Sequence, residues 1–402
     1  MVFKEDVLAA YKGQQNLLEK ENGFVERDYL KTLNPSSSHI EVIAGIRRCG
    51  KSTMMRQIAN RFYNKVAYFN FEDSRVFGFE VGDFSKLDEV IGHDVEAYFF
   101  DEIQNVSGWE VFVRQLHERG AKVFVTGSNA SLFSRELGTR LTGRYLSHEV
   151  FPFSYREYLL YFSFQDTLEN FKKYVQCGGF PEFLRDQNPE ILQMLLKDIL
   201  FRDIAVRYGI KNTHVLMDIA LYLVSNIGKE VSFNGLRNNF NVGSPTTVSD
   251  YLSWMGDAYL LFYLPRFSWS AKSISKNPKK VYCIDTGFAK SNSLSFSKDE
   301  GRLLENLVYL NLRKKFQKLF YFRERQECDF VVFEGNSCKW LIQVCDTLHP
   351  DNRDREINGL MEAMEFLKMD IGYILTLNQN DQVVINEKTI IIQEVRKFLT
   401  WM

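Results

Sequence analysis

Long apolar runs are missing from this chain. No uninterrupted stretch approaches the roughly 18 residues that a membrane span needs, so a membrane protein is not expected. An excess of one charge is missing too: 50 Lys and Arg stand against 51 Asp and Glu, a formal net charge of -1. No global basic field draws the chain to nucleic acid, which leaves only a local patch for that role. The start, Met1-Val2-Phe3-Lys4-Glu5-Asp6, lacks the charged-then-apolar order of a secretory signal. The six cysteines form no Cys-x-x-Cys pair and have no histidine at metal spacing. They read as reduced thiols, not as a disulfide frame or a zinc site. Together these absences predict a cytoplasmic protein with no membrane partner. What is present is an ordinary globular composition, 45% apolar and 25% charged, with 14% aromatics that predict large cores. The 402 residues should divide into two or three domains. No low-complexity segment, long linker or internal repeat interrupts them.

Against that background one octapeptide stands out. Gly45-Ile46-Arg47-Arg48-Cys49-Gly50-Lys51-Ser52 fits G-x-x-x-x-G-K-[ST], the pattern of a phosphate-binding loop. The two glycines let the backbone turn tightly, so that several N–H groups point at one anion. Lys51 would reach the β/γ-phosphates, and the Ser52 hydroxyl would hold Mg²⁺. Residues 39–44 read as the strand entering the loop and 52–62 as the helix leaving it, which sets a helix N-terminus under the phosphates. Gly45, Arg48, Cys49, Gly50, Lys51, Ser52 and Thr53 are therefore the candidate nucleotide cradle, with Cys49 as a small filler.

Three further segments fit the same site. Ala97-Tyr98-Phe99-Phe100-Asp101-Glu102 reads as a buried strand ending in two carboxylates. Asp101 would accept from the Mg²⁺ shell, and Glu102 would act as general base on the attacking water. Lys122–Thr126 reads as another strand, after which Ser128 or Asn129 would sense the γ-phosphate. A further strand over 65–71 favours the ATPase branch of phosphate-loop proteins, and no Asn-Lys-x-Asp reads guanine, so ATP is expected over GTP. Arg140 and Arg144, bracketed by glycines, are candidates for an arginine finger in cis or from a neighbouring copy. The second option makes a homo-oligomer a candidate assembly.

In combination, Gly-Ile-Arg-Arg-Cys-Gly-Lys-Ser-Thr, Phe-Phe-Asp-Glu-Ile-Gln, Thr-Gly-Ser-Asn and Gly-Thr-Arg-Leu-Thr-Gly-Arg-Tyr resemble the prokaryotic AAA-type ATPases of the archaeal-ATPase/STAND-like group. Members of that group carry a C-terminal domain of unknown function. The resemblance covers about residues 20 to 390. It implies that Phe151-Pro152-Phe153-Ser154-Tyr155-Arg156-Glu157-Tyr158 closes the ATPase core. It also implies that Gly179-Phe180-Pro181 is similar to a Gly-x-Pro that touches nucleotide from a helical lid, with Pro181 as the contact.

The expected fold is α/β: a P-loop NTPase with an ASCE-type parallel sheet over 1–150, a helical lid over 151–212, a winged helix over 213–279 and a nuclease-like domain over 280–402. Helices are expected at 155–162, 168–176 and 190–206. Three more fall within 217–258, the last opened by Ser244-Pro245, and segments 259–267 and 280–284 should pair as a hairpin. Lys272, Lys276, Lys279 and Lys280 gather in that hairpin, where a wing could meet duplex DNA phosphates. The helix at 302–316 and the strands at 326–333 and 340–345 resemble the order of the PD-(D/E)xK nuclease fold, with Glu305 and Asp329 matching its acids. Gln343 and Cys345 stand where an acid and a lysine belong. Neither replacement suits a hard cation or an ammonium, so an inactive nuclease-like domain is expected. The reading is an ATP hydrolase using Mg²⁺. A nucleotide-switched DNA-binding module and a metal-dependent nuclease stand as alternatives.

Overall fold

The apolar runs around the phosphate loop become neighbours in one parallel sheet in the computed structural model, which describes residues 1–18, 25–129, 141, 143–295 and 300–401. Contacts divide the chain into two units, Met1–Phe164 with Asp257–Tyr259, and Gln165–Gly256 with Leu260–Met402.

The first unit holds β1 (Ile40–Gly45), β2 (Val66–Asn70), β3 (Ala97–Asp101), β4 (Lys122–Gly127) and β5 (Tyr145–Val150), in the order β2-β3-β4-β1-β5 with every pair parallel. β1 and β3 are buried at every residue, because helices α1 (Lys4–Leu18), α2 (Lys51–Phe62), α3 (Phe84–Ile91) and α4 (Trp109–Glu118) pack about the sheet. The phenylalanines supply much of this core: Phe99 and Phe124 stack at 4.6 Å, and Phe84 and Phe112 at 4.5 Å. β4 lies between β1 and β3. The phosphate loop, Asp101-Glu102 and Ser128-Asn129 thus all leave the sheet at its C-terminal edge, where open α/β sheets bind ligands. Helix α5 (Tyr155–Phe162) begins with a reciprocal capping box between Ser154 and Glu157.

The second unit opens with helices α6 (Leu168–Cys177), α7 (Pro181–Asp186) and α8 (Pro189–Asp198). α8 continues over Ile199–Val206 in wide π-type turns, where a uniform helix was expected to reach 206. Then come α9 (Thr213–Ser225), α10 (Phe233–Asn239) and α11 (Pro245–Asp257). They lead to a small sheet of β6 (Glu230–Val231), β7 (Leu261–Pro265) and β8 (Lys279–Cys283), ordered β6-β8-β7. The expected hairpin forms with Leu261 opposite Cys283 and Pro265 opposite Lys279. A short helix α12 (Ala271–Lys276) interrupts its connection, and α13 (Thr286–Asn292) and α14 (Glu300–Lys315) follow.

The last sheet contains β9 (Lys318–Arg323), β10 (Glu327–Glu334), β11 (Ser337–Val344), β12 (Ile371–Thr376), β13 (Asp381–Ile385) and β14 (Lys388–Glu394). Their order is β13-β14-β12-β11-β10-β9, with β9, β10 and β11 antiparallel and β11, β12 and β14 parallel. Helix α15 (Pro350–Leu367) makes the crossover from β11 to β12 and packs on the sheet through Leu360 and Met364. No helix among the described residues is long and apolar enough to cross a membrane.

Candidate functional site

The loop between β1 and α2 is shaped by two glycines with different jobs. A Cβ on Gly45 would lie 2.2 Å from the Val150 carbonyl oxygen, so only glycine lets β1 run this close to β5. Gly50 adopts φ +97 as the residue before α2. Neither a side-chain cap nor an acidic residue occupies the first turn of α2. The first N–H groups of that helix thus have no partner from within the helix, and their dipole faces the loop. Arg48 lies in the loop in a left-handed conformation, Cys49 is buried, and Ser52 and Thr53 are half-buried in the first turn of the helix. Burial pushes the Cys49 thiol pKa up, which suits a filler rather than a reactive group.

Lys51 is buried, and its ammonium donates to the carbonyls of Gly45 at 3.1 Å and Ile46 at 3.2 Å. It also pairs with Glu102 at 3.4 Å. Burial opposes the charge on Lys51, yet the Glu102 carboxylate holds its pKa above the ordinary 10.5. Burial likewise opposes the charge on Glu102, and the Lys51 ammonium holds that carboxyl below its ordinary value. Both partners therefore stay charged. Glu102 sits in the left-handed region at φ 51, its N–H donating to the Thr126 hydroxyl at 2.9 Å and its carboxylate accepting from Gln104. Such a conformation costs a non-glycine residue about 1–2 kcal/mol, and strain of this kind gathers at working sites.

Asp101 is fully buried. Tyr68 donates to one of its oxygens at 2.6 Å and Thr126 to the other. Each oxygen keeps acceptor capacity after one such bond. Ser128 and Asn129 are buried just past β4, and Gln104 donates to the Ser128 hydroxyl at 3.5 Å. The structure thus brings Lys51, Asp101, Glu102, Ser128 and Asn129 to one edge of one sheet. A helix start without its own anion, a charged lysine and a buried carboxylate with spare lone pairs form a donor set that fits a triphosphate with magnesium.

One other candidate falls elsewhere. Arg144 is exposed at the start of β5, where its carbonyl accepts from the Ile40 N–H at 2.9 Å. That is the opposite end of the sheet from the loop, separated by the length of β1. Arg140 lies outside the described residues. Pro181 belongs to the second unit and opens α7. There the Gly179 N–H donates to Asp285 at 2.7 Å, and Phe180 packs on Phe288 with ring centroids 5.7 Å apart.

Sequence reasoning missed Arg27. Its buried guanidinium reaches Glu157 at 3.0 Å, the Cys49 carbonyl at 2.9 Å and the Phe151 carbonyl at 2.6 Å. No motif contains it; the one signal was Ser154-x-x-Glu157, which marks the carboxylate but not its partner.

The second unit contains a different polar cluster, and it corrects the reading of Lys280 as a wing residue facing DNA. Alternation along β8 turns Lys280 inward while Lys279 lies 5.9 Å from the Phe233 ring centre. Lys280 is 1% exposed, with its ammonium 2.8 Å from Asp329, 2.7 Å from Glu327 and 3.1 Å from Glu305. Burial opposes its charge, but Asp329 and Glu305 raise its pKa well above 10.5. Tyr282 donates to Glu305 at 2.7 Å, and the Val344 N–H to Asp329 at 2.9 Å. Gln343 accepts from the Asp329 N–H at 3.1 Å and donates to Glu356 at 2.6 Å. Cys345 is a buried thiol, its pKa pushed up to about 12 by burial. The cluster floors a cleft of about 670 Å³. Among the described residues no group of three or more His, Cys, Asp or Glu side chains is placed to hold a metal ion.

Residues 37–159 match the family model of an AAA domain, and residues 168–299 that of a domain of unknown function, DUF8612. The uncharacterized protein MJ1544 of Methanocaldococcus jannaschii is 34% identical over 415 residues, covering 96% of this chain and 92% of MJ1544. An uncharacterized protein of Haemophilus influenzae is 28% identical over 370 residues, covering 86% of this chain and 90% of that protein. Among solved structures, the S. cerevisiae Hsp104-ADP complex covers 62% of this chain and 41% of its own at 12% identity and a TM-score of 0.34, a likeness too slight to carry an inference.

Proposed function

This chain belongs to the family of the Methanocaldococcus jannaschii protein MJ1544, with an AAA-type P-loop domain in its first unit, and we propose that it binds and hydrolyses ATP with Mg²⁺ to change the conformation of the segments that follow. The observation that carries the proposal is the convergence of Lys51, Asp101 and Glu102 on the uncapped start of α2. The triphosphate lies against the amides of the loop from Gly45 to Ser52, with Arg48, Cys49 and Thr53 completing the cradle. Lys51 leaves the carbonyls of Gly45 and Ile46 for the phosphate oxygens. Ser52 and Asp101 would hold Mg²⁺, which would supply neutralisation of charge on those oxygens. Asp101, already accepting from Tyr68 and Thr126, would turn its remaining lone pairs toward that ion's shell. Glu102 takes the proton of the attacking water, and Ser128 and Asn129 read the γ-phosphate. Arg144, just before β5 at the end of the sheet opposite the loop, serves a phosphate only in a neighbouring copy, so a finger from this residue requires a homo-oligomer.

For the second unit we read α9, α10, α11 and the β6-β8-β7 sheet as a winged helix. The succession α14, β9, β10, β11, α15, β12 supports a nuclease-like fold, catalytically silent because Lys280 occupies its acids. A wing that binds duplex DNA loses support, since Lys280 is committed inward.

The test is ATP binding and turnover by the wild type, Lys51→Ala and Glu102→Gln. The wild type turns over in Mg²⁺, and Lys51→Ala loses binding. Glu102→Gln binds but turns over slower by about two orders of magnitude or more. Wild-type turnover in Glu102→Gln would refute the assigned base, and unaltered binding in Lys51→Ala the site itself.

A further inference from the structure

Arg27 stands outside every motif from which the site was assembled, and before residue 37, where the AAA match begins. Its partners lie 22, 124 and 130 residues along the chain, at Cys49, Phe151 and Glu157. The guanidinium carbon lies 5.2 Å from the Phe153 ring centre, and the Glu157 carboxylate that it meets also accepts the Asp28 N–H at 2.7 Å and the Ser154 N–H at 2.8 Å. Three directions are thus fixed at once by one rigid planar fork, where the three donors of an ammonium would rotate on a flexible stem. One of the three lies inside the phosphate loop. The Cys49 carbonyl and the Gly50 N–H belong to the same planar trans peptide, so the group that anchors the one aims the other the opposite way. The side chain that Gly50 lacks would meet Arg27 Nη1 at 3.0 Å. The other two directions end on the Phe151 carbonyl and on α5, whose last residue, Phe162, shortly precedes the start of the second unit at Gln165.

We propose that Arg27 is a positioning residue for the nucleotide: it sets the Cys49–Gly50 peptide so that the loop amides converge, and it passes occupancy of the loop to α5. The proposal rests on the ATP-binding reading above. A triphosphate that draws the loop amides toward itself turns the Cys49–Gly50 peptide, and Arg27 carries that turn to Phe151 and Glu157 through bonds already made.

The experiment is hydrogen exchange of the full chain with and without a non-hydrolysable ATP analogue and Mg²⁺, alongside ATPase kinetics of Arg27→Lys and Glu157→Gln. In the wild type the analogue slows exchange at 46–52 and also at 151–162. Arg27→Lys raises KM about tenfold or more while kcat moves less, and at saturating analogue it keeps protection at 46–52 and loses it at 151–162. Glu157→Gln lowers the melting temperature but leaves KM near the wild-type value, because the Cys49 contact survives. A wild-type KM in Arg27→Lys, or a Glu157→Gln variant whose KM rises as far, overturns the proposal. So does wild-type protection confined to 46–52, a result that needs no variant to fold. Unaltered nucleotide binding in Lys51→Ala would overturn the ATP reading instead.

Discussion

Replacing Lys280 with methionine keeps the length and bulk of the side chain and removes one charge. That charge faces Asp329, Glu327 and Glu305, and the Lys280 side chain is 2% exposed. Removing one partner of a buried ion pair costs about 3–5 kcal/mol, because Asp329 and Glu305 stay behind without their cation, while Glu327 keeps Arg323 at 3.5 Å. At about 1.4 kcal/mol per tenfold, the folded-to-unfolded ratio falls by roughly two to three and a half powers of ten. Water in the cleft above relieves the site only in part, since Asp329 and Glu305 are buried at its floor while Glu327 is half-buried. Protons relieve it further. Burial, then the neighbouring Asp329 charge, already raises the Glu305 pKa in the wild type, and loss of the ammonium raises it further. A carboxyl with a raised folded pKa stabilises most below its unfolded pKa and loses that contribution as pH rises through the folded one. The variant is therefore weakest at pH 8 and recovers toward pH 5, by about 1.4 kcal/mol for each unit of added pKa rise. Urea unfolding followed by tryptophan emission reads this directly: Trp254, Trp269, Trp340 and Trp401 lie in the second unit, against Trp109 in the first. Adding Glu305→Gln and Asp329→Asn to Lys280→Met should restore stability at pH 8. Unfolding of Lys280→Met at the wild-type urea concentration, with no steeper pH dependence, would refute the claim that the ammonium neutralises this cluster.

Two further changes test other parts of the fold. Burial raises the Asp285 pKa from 3.8 to about 6 against the bonds from Gly179 and Phe288, so the second unit should lose stability between pH 4 and 6; Asp285→Asn flattens that slope in pH-dependent denaturation. A slope that survives the substitution assigns it to another group. Gly45→Ala places a carbon 2.2 Å from a backbone oxygen that cannot rotate aside. It should destabilise the first unit by about 1–3 kcal/mol and abolish the rise in melting temperature on adding ATP; a full ligand-induced rise in this variant rules out a role for the β1–β5 approach in shaping the loop.

Much of the first unit was legible because its signals are local. The loop glycines and the apolar strands ending at Asp101 and Thr126 each declare themselves within eight residues; the Ser154–Glu157 cap was as local but went unread. The position of β4 between β1 and β3 was not local, yet it is what gathers the three strand ends. In the second unit, the helix carrying Glu305 and the strand carrying Asp329 were readable from spacing. Lys280 was misjudged because a lysine in a turn-rich basic segment gives no sign of which face of its strand it takes, and its partners stand 25 to 49 residues away. Gln343, weighed only as a poor metal ligand, proves to bridge Asp329 and Glu356. Arg27 makes the same point: a single arginine has no pattern, and its meaning arises only once the chain has closed around it.

On the proposed reading, the contact between Lys51 and Glu102 works as a safety catch. While the ammonium leans on the carboxylate, the group proposed to deprotonate water is itself engaged. An anion able to draw the lysine away would leave the glutamate held by Gln104 alone. Arrival of fuel and arming of the machinery would then be a single event, and solutes that cannot claim the lysine would leave the catch closed.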